Sequence, residues 1–293
     1  MAKLNIGELF STFCSNLIIR DESVSFRYKR ITSRLNKEYY ESDSDTAHSL
    51  YVGSYGRNTA VNSTSDFDIL FQLPVDMYYR FNSYTSNGQS ALLQDVKTKI
   101  GKTYPGTDIK ADGQVIVIPF SDNITFELLP AFLNTDDSFT YPNANDGGSW
   151  QITNPKAEQK AMASMNKDTN GNLIRLCRMS RAWKKKNDVS IDGILIDTLA
   201  YDFISEWEYR DKSFVYYDWM SRDFFEYLSN QDPNRSYWYA PGSHKRISNS
   251  GHFQFKAKKA LDVALEAIKD ADSGYEYSAK AEWRGIYGTD FPG

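Results

Sequence analysis

One short segment, residues 53–71, limits the fold of this 293-residue chain more than any other part of it. It opens with Gly53-Ser54, which predicts a turn, and continues into a stretch in which charged and apolar residues alternate. Because successive side chains of a strand point to opposite faces, the alternation divides this stretch into two sets. The first set is Asp66, Asp68 and Leu70, and the second is Phe67, Ile69 and Phe71. The second set would anchor the strand in a core and leave two neighbouring carboxylates on the first face.

The paired carboxylates are the candidate catalytic feature. Asp66 and Asp68 would repel each other, a cost that solvent or a divalent cation between them relieves. A third carboxylate, Glu127, lies in a predicted strand over 123–129 and faces away from its apolar neighbours. If the two strands are neighbours, the three side chains form a site for two Mg²⁺ ions, or Mn²⁺ in their place. Such a pair of ions activates an attacking hydroxyl and stabilises a leaving pyrophosphate.

Each of these features also has an ordinary structural interpretation. An Asp-x-Asp pair on a strand is more often a solvated face, and a Gly-Ser pair is usually only a turn. A glycine turn before a helix start, however, lets backbone N–H groups approach an anionic phosphate. The occurrence of Gly53-Ser54, Asp66, Asp68 and Glu127 in this order, with strand-like patterning, favours the functional interpretation.

Composition and charge exclude several classes of protein. The chain has 34 basic and 38 acidic residues, a net charge of −4, so it is not expected to coat nucleic acid through its whole surface. Its 41% hydrophobic residues exclude a disordered chain, and no apolar run reaches the ~18 residues of a membrane helix. Cys14 and Cys177 are too few for a disulfide framework and are expected to be buried thiols. The start shows no signal segment, so we expect a cytoplasmic protein.

The order of predicted elements indicates an α+β fold in two lobes. Hydrophobic spacing predicts one or two helices over residues 5–42 and another over 90–100. The stretches 114–120 and 123–129 are predicted to be two strands of a hairpin, and 134–155, rich in Asn, Asp, Gly and Pro, a long loop. The best candidates for further helices are 156–166, 172–186, 192–210, 218–230 and 255–271.

These residues resemble those of the DNA polymerase β-type nucleotidyltransferase superfamily, and within it the bacterial cGAS/DncV-like nucleotidyltransferases (CD-NTases). Superfamily members have a Gly-Ser turn, an Asp-x-Asp strand and a third Asp or Glu on a later strand. The resemblance spans roughly residues 50 to 292. It is carried by the stretches 53–61, 65–68 and 126–132 and by the tail 283–292.

The resemblance implies a polymerase β-like fold with a mixed-sheet catalytic lobe, 1–150, and a helical lobe, 151–293, braced by a long N-terminal helix. It also implies synthesis of a cyclic di- or oligonucleotide from nucleoside triphosphates, with no nucleic-acid template and no membrane. The product would be a second messenger in anti-phage signalling, read by a downstream effector. One alternative is transfer to an RNA end, a small molecule or a protein, which uses the same chemistry with another acceptor. Another is a degenerate member that serves as a binding scaffold.

The resemblance also assigns roles to individual residues. Asp66 and Asp68 would ligate both metal ions, and Glu127 would ligate one of them and help to deprotonate the acceptor hydroxyl. Glu127 stands where Asp is commoner in the family. Gly53 and Ser54 would contact the donor triphosphate.

The basic segment 172–187 supplies two further candidates. Arg181 stands where relatives often place a lysine against the donor phosphates, and Lys184 follows one helical turn later. The segment has six basic residues and no acidic one, so it would form a phosphate-facing wall of the cleft or an ordinary solvated face. For 184–186 the solvated face is favoured.

Overall fold

A computed structural model describes residues 4–20, 22–249 and 251–293. The described α-helices are α1 (Ile6–Asn16), α2 (Glu22–Tyr40), α3 (Gly53–Gly56), α4 (Val75–Asn82), α5 (Gly88–Gly101), α6 (Pro155–Asp168), α7 (Asn172–Asn187), α8 (Gly193–Glu206), α9 (Tyr217–Ser229), α10 (Gln254–Asp272) and α11 (Glu276–Tyr287). The described strands are β1 (Ser49–Tyr51), β2 (Asp66–Gln72), β3 (Lys110–Asp112), β4 (Val115–Pro119), β5 (Thr125–Leu133), β6 (Phe139–Asn143), β7 (Ser149–Thr153), β8 (Tyr237–Tyr239) and β9 (Arg246–Ser248). The predicted α+β class is confirmed.

These elements fall into two compact units, and each unit is made of separate pieces of the chain. The first, which we call the sheet unit, comprises Arg20–Arg57 and Thr64–Ala157. The second, the helical unit, comprises Met1–Ile19, Asn58–Ser63 and Glu158–Gly293.

This division differs from the predicted lobes, 1–150 and 151–293, at the N-terminus, at Asn58–Ser63 and at the boundary, which lies after Ala157. The one or two helices predicted over 5–42 are confirmed as α1, which belongs to the helical unit, and the 19-residue α2, which belongs to the sheet unit. At the end of α1, side-chain and backbone groups of Asn62 hydrogen-bond to carbonyls that have no partner within the helix. Asn62 Nδ2 donates to Asn16 O at 2.7 Å, and Asn62 N donates to Leu17 O at 2.9 Å.

The sheet unit is built on a mixed sheet in the order β1-β2-β5-β4-β3, and β6 and β7 continue from β5. β2 and β5 are parallel, whereas the other described pairs of this sheet are antiparallel. The predicted hairpin of two strands is confirmed as β4 and β5. α2 and α5 pack on each other and against the sheet through their apolar residues. The buried apolar residues of these two helices include Val24, Ile31, Leu35, Leu92, Leu93, Val96 and Ile100.

The stretch 134–155, predicted to be a long loop, contains the strands β6 and β7. Their pairing runs from Phe139 opposite Thr153 to Asn143 opposite Ser149. The Asp and Gly residues that suggested a loop lie in tight turns, where a positive φ suits glycine and, among other residues, Asp and Asn best. Those with positive φ are Asp137, Asp146, Gly147 and Gly148. The high content of turn residues therefore led to the prediction of a loop where the structure has two short strands.

The helical unit has a large aromatic core in which α1 meets the C-terminal tail. Phe10 of α1 lies 5.2 Å from both Trp283 and Phe291, measured between ring centroids. Phe13 lies 4.8 Å from Tyr287 in the same way, and all five rings are buried. The tail that carried part of the resemblance is thus a packing motif in this chain.

Two further expectations concern the thiols and the membrane. Cys14 and Cys177 are both buried thiols outside any disulfide, which confirms the prediction. Among the helices of the described residues, none has the length and apolar character that a membrane span requires.

Candidate active site

The strands β2 and β5 bring the predicted acidic residues to one face of the sheet. They pair in parallel, with Asp68 opposite Glu127 and Phe67 opposite Phe126. Residues paired across neighbouring strands point to the same face, and so do residues two apart in one strand. Asp66, Asp68 and Glu127 therefore share a face. On the other face, the rings of Phe67 and Phe126 are buried with their centroids 5.5 Å apart.

The carboxylates on this face are close enough to influence one another's protonation. Burial raises the pKa of Asp68; the charge of Arg57 opposes this shift, and that of Asp66 adds to it. Burial also raises the pKa of Glu127, and the charges of Asp68, Asp66 and Asp112 raise it further. Asp68 and Glu127 are thus harder to ionise, first because they are buried and then because other carboxylates lie near them. A cation bound at this face would offset that cost.

Gly53 lies against the carboxylate of Asp68 and has no room for a side chain. Its φ is +59°, in the left-handed region, and a Cβ at this position would lie 1.7 Å from Asp68 Oδ2. The backbone joins the same two elements, since Val52 N donates to Asp68 O at 2.9 Å. Gly53 and Ser54 are the first residues of α3. The glycine turn therefore places the start of α3 directly beside the acidic face.

The donor set on this face suits a hard divalent cation. Carboxylate oxygens are the ligands that Mg²⁺ prefers, and it is usually held by one or two of them together with substrate phosphates. Within the residues that the structure describes, no group of three or more His, Cys, Asp or Glu side chains is arranged so that it could hold a metal ion as it stands. The predicted ligands Asp66, Asp68 and Glu127 therefore form a shared acidic face rather than a preformed metal cage.

Arg181 is held inside the helical unit by an ion pair. Its guanidinium contacts both carboxylate oxygens of Asp197 on α8, at 2.5 and 2.9 Å, and donates to Gly193 O at 3.0 Å. Asp197 is fully buried and also accepts a hydrogen bond of 2.9 Å from Thr59 Oγ1. Arg181 thus links α7 to α8, and its predicted contact with a donor phosphate stays a prediction.

The remaining basic residues of α7 are partly structural and partly exposed. Arg178 donates to Asn58 Oδ1 at 2.8 Å, and Arg175 donates to Asn170 O at 2.9 Å. The basic segment is therefore not a purely solvated face. Lys184 is partly exposed on the same helix, and its role in substrate binding stays a prediction.

Arg57 and Asp112 belong to the electrostatic surroundings of the acidic face, although neither is among the residues predicted from the sequence. Burial raises the pKa of both Asp68 and Glu127; the charge of Arg57 opposes the rise at Asp68, and the charge of Asp112 adds to the rise at Glu127. Arg57 directly follows α3, so its nearness to the Gly-Ser turn was a usable signal. Asp112 comes near only through the pairing of β3, β4 and β5, which the sequence alone does not show.

The polymerase β-like nucleotidyltransferases have this architecture. It combines a mixed sheet, which carries in-register carboxylates beside a glycine turn, with a second, helical unit. Within this class, residues 4–166 match the family model described as the Second Messenger Oligonucleotide or Dinucleotide Synthetase domain. The match covers more than half of the chain, and the chain belongs to this family.

Two relatives are named as cyclic nucleotide synthases. The chain is 22% identical over 259 residues to a cyclic AMP-AMP-AMP synthase from Acinetobacter sp. (strain ATCC 27244 / 9458). This alignment covers 84% of this chain and 73% of that protein. It is also 24% identical over 179 residues to a protein from Bacillus cereus (strain VD146) named as a probable cyclic nucleotide synthase. This alignment covers 57% of this chain and 51% of that protein. The match thus spans about half the length of the Bacillus protein.

Solved structures share the fold over nearly the whole chain. The Escherichia coli MS115-1 CdnC:HORMA-deltaN complex has a TM-score of 0.66 at 13% identity, and 98% of each chain is covered. The Bradyrhizobium diazoefficiens CD-NTase CdnG in complex with GTP has a TM-score of 0.65 at 11% identity, with 97% of this chain and 95% of that chain covered. At these identities the likeness shows the fold, which is the one that the resemblance implied.

Proposed function

We propose that this chain is a cytoplasmic, template-independent nucleotidyltransferase that joins nucleoside triphosphates and closes the product into a cyclic di- or oligonucleotide. The observation that supports this most strongly is the shared face of Asp66, Asp68 and Glu127 beside Gly53, in a chain of the second-messenger synthetase family. The name of the Acinetobacter relative makes ATP the first substrate to test.

The acidic face would hold the metal ions and manage the proton of the acceptor hydroxyl. Asp66, Asp68 and Glu127 are the proposed ligands of two Mg²⁺ ions, or Mn²⁺, which when bound neutralise phosphate charge and activate that hydroxyl. Glu127 is suited to help take up the hydroxyl proton, because burial and neighbouring charges raise its pKa. Gly53 and Ser54 offer the backbone N–H groups at the start of α3 to the donor triphosphate.

Arg181 and Lys184 complete the proposed substrate-binding set in different ways. Lys184 would contact the donor phosphates directly from its partly exposed position on α7. Arg181 would do so only by leaving Asp197, so we assign it first to holding α7 and α8 together.

The biological role we propose is anti-phage signalling. The cyclic product would act as a second messenger that a downstream effector binds. A structural neighbour was solved with a HORMA partner, so a HORMA protein is the first candidate regulator to test with this chain.

Incubation of the purified chain with the four ribonucleoside triphosphates and Mg²⁺ or Mn²⁺, without any acceptor, tests the proposed synthesis. We expect release of pyrophosphate and a phosphatase-resistant product whose mass identifies its bases and ring size. The double variant Asp66→Asn/Asp68→Asn should abolish this product. It should remain folded, because the substitutions remove charges that repel one another.

Asp108→Asn is the matched control, since it removes an exposed carboxylate from the same unit and should leave the product unchanged. A product that forms only after RNA, a small molecule or a protein is added would support the alternative of transfer to an acceptor. The absence of any magnesium-dependent pyrophosphate release would support a binding scaffold instead.

A further inference from the structure

A basic cavity in the sheet unit shares no residue with the acidic face. Its volume is about 490 Å³, and one side of α2 forms most of its wall, with the loop after α2 and Thr103 completing it. The α2 residues recur at intervals of three and four, which places them on one face of the helix. They are Phe26, Lys29, Arg30, Ser33, Arg34 and Lys37. The volume is typical of a site for a small molecule.

This cavity is positively charged in a chain that is negative as a whole. Four of the lining residues are cations and two, Asp43 and Asp45, are anions, a balance of +2, whereas the chain carries −4. A local positive field in an acidic protein draws anionic ligands to that place rather than to the surface in general.

The protein itself neutralises only some of these cations. Arg34 donates to Thr103 Oγ1 at 2.7 Å and to Glu38 at 3.2 Å, so its guanidinium is fixed in the wall. Lys29 lies 3.8 Å from Asp45, which is a long ion pair between two exposed side chains. Arg34 is therefore an ordered hydrogen-bond donor in the wall, and Lys29 is only loosely paired.

Arg30 and Lys37 are left without an acidic partner among the residues that the structure describes. Seven residues separate them, which is two helical turns or about 10 Å along α2. Arg30 also lies over the ring of Phe26, 5.6 Å from its centroid, and Phe26 is 60% exposed. An exposed ring beside unpaired cations offers a stacking surface for a base and charge for phosphates.

We propose that this cavity is a second nucleotide site, which binds a nucleoside polyphosphate away from the acidic face. The base stacks on Phe26, and Arg30, Arg34 and Lys37 hold the phosphates. Inorganic triphosphate uses only the cations of this site and a nucleoside uses only the ring, so the two halves of the ligand can be tested separately. The proposal stands apart from the proposed synthesis because it requires no turnover.

Calorimetric titration of the whole chain with ATP in EDTA tests the proposal, because chelation removes the metal ions on which the proposed active site depends. We expect ATP to bind more tightly than inorganic triphosphate, and adenosine not to bind. Arg30→Glu and Lys37→Glu should each weaken ATP binding by about tenfold or more, because each puts a repelling charge beside the phosphates. Phe26→Ala should weaken binding of ATP but not of triphosphate.

Lys110→Glu is the matched control, since it makes the same change of charge at an exposed position of the same unit outside the cavity. It should leave ATP affinity unchanged. The double variant Asp66→Asn/Asp68→Asn should also bind ATP in EDTA as the unchanged chain does, even if it forms no product. Failure of the synthesis and failure of this site are thereby distinguished.

Three outcomes would overturn the proposal. The first is equal ATP affinity in the unchanged chain, Arg30→Glu and Lys37→Glu. The second is equal weakening by Lys110→Glu, since the effect would then come from overall charge. The third is binding of a single-stranded oligonucleotide without any binding of ATP, which would make this face a nucleic-acid surface. Lys37 is exposed and unpaired within the described residues, so Lys37→Glu keeps the test decisive if Arg30→Glu disturbs folding.

Discussion

A side chain at residue 53 would collide with the carboxylate of Asp68. We expect Gly53→Ala to abolish the proposed nucleotidyl transfer, because its Cβ would lie 1.7 Å from Asp68 Oδ2 and the carboxylate would have to move. The left-handed backbone adds about 1–2 kcal/mol of strain for a residue other than glycine. Product formation and thermal unfolding, measured on the same preparation, separate the loss of geometry from the loss of the fold.

Gly101→Ala is the control for this substitution. A Cβ at Gly101 would have no atom within 4 Å, and its φ is not positive, so activity and stability should stay close to those of the unchanged chain. Turnover by Gly53→Ala at the rate of the unchanged chain would show that Asp68 is not a group on which catalysis depends.

Asp218, on α9, is a buried carboxyl in the helical unit that gives the protein a pH dependence of its own. Burial raises its pKa to about 6, above the usual ~3.9 of an unfolded Asp. The folded state therefore binds this proton more tightly, and its contribution to stability is lost as the pH rises from about 4 through about 6. Asp218→Asn should raise the free energy of unfolding near pH 7.5 by on the order of 1–3 kcal/mol and change it little near pH 4.

Urea denaturation at the two pH values measures this difference. Asp262→Asn, at an exposed position of α10, should show no comparable dependence on pH. An equal effect of Asp218→Asn at both pH values would mean that packing of the amide, not ionisation of the carboxyl, controls the change.

Single residues were predictable where strand alternation and spacing act locally. Asp66 and Asp68 could be placed on one face because period-two patterning fixes the direction of each side chain within its own strand. Glu127 joins them only because β5 pairs with β2, which could only be assumed from the sequence. Asp197 could not be matched to Arg181, since sixteen residues and a turn separate them and nothing in the spacing identifies the pair. The partner of a buried charge depends on how the helices pack, and that packing depends on residues far from either partner in the sequence.

At the scale of elements, the ion pair between α7 and α8 offers a test of what Arg181 does. Asp197→Leu should lower the free energy of unfolding by about 3–5 kcal/mol, because it leaves a buried guanidinium without its partner. The double variant Arg181→Met/Asp197→Leu should recover much of that loss, since no unpaired charge remains. Urea denaturation at neutral pH gives both values.

The same double variant separates the two roles considered for Arg181. If it folds and still forms product, the arginine acts by holding α7 against α8. If it folds but forms no product, while Lys185→Met retains full activity as the control, direct contact with the donor phosphates is supported.

Elements were predictable where periodicity ran long, and were missed where turns interrupted it. The helices α7 and α10 and the hairpin of β4 and β5 follow their predicted positions closely. β6 and β7 were missed because each has only five residues, and their Asn, Asp and Gly neighbours are also typical of loops. In a short hairpin those residues form the turn itself, so composition alone does not separate the two cases.

At the scale of the whole molecule, the division into units depends on contacts between distant parts of the chain. A single cut near residue 150 is the simplest interpretation of a sequence in which strands precede helices. The structure instead groups α1 with α11 and the tail, because their aromatic rings need one another to be buried. Helical periodicity places Phe10 on the apolar face of α1, but it does not show which element covers that face.

Phe10→Ala tests this grouping in the intact chain. It should lower the free energy of unfolding by about 3–5 kcal/mol, because it leaves a cavity among Trp283, Tyr287 and Phe291. Hydrogen exchange should become faster in α11 and stay unchanged in β2 and β5, since the lost contacts lie within the helical unit. Phe255→Ala, at a ring that is 65% exposed, should alter neither. Faster exchange in β2 and β5 with α11 unaffected would instead place α1 with the sheet, as the lobe 1–150 required.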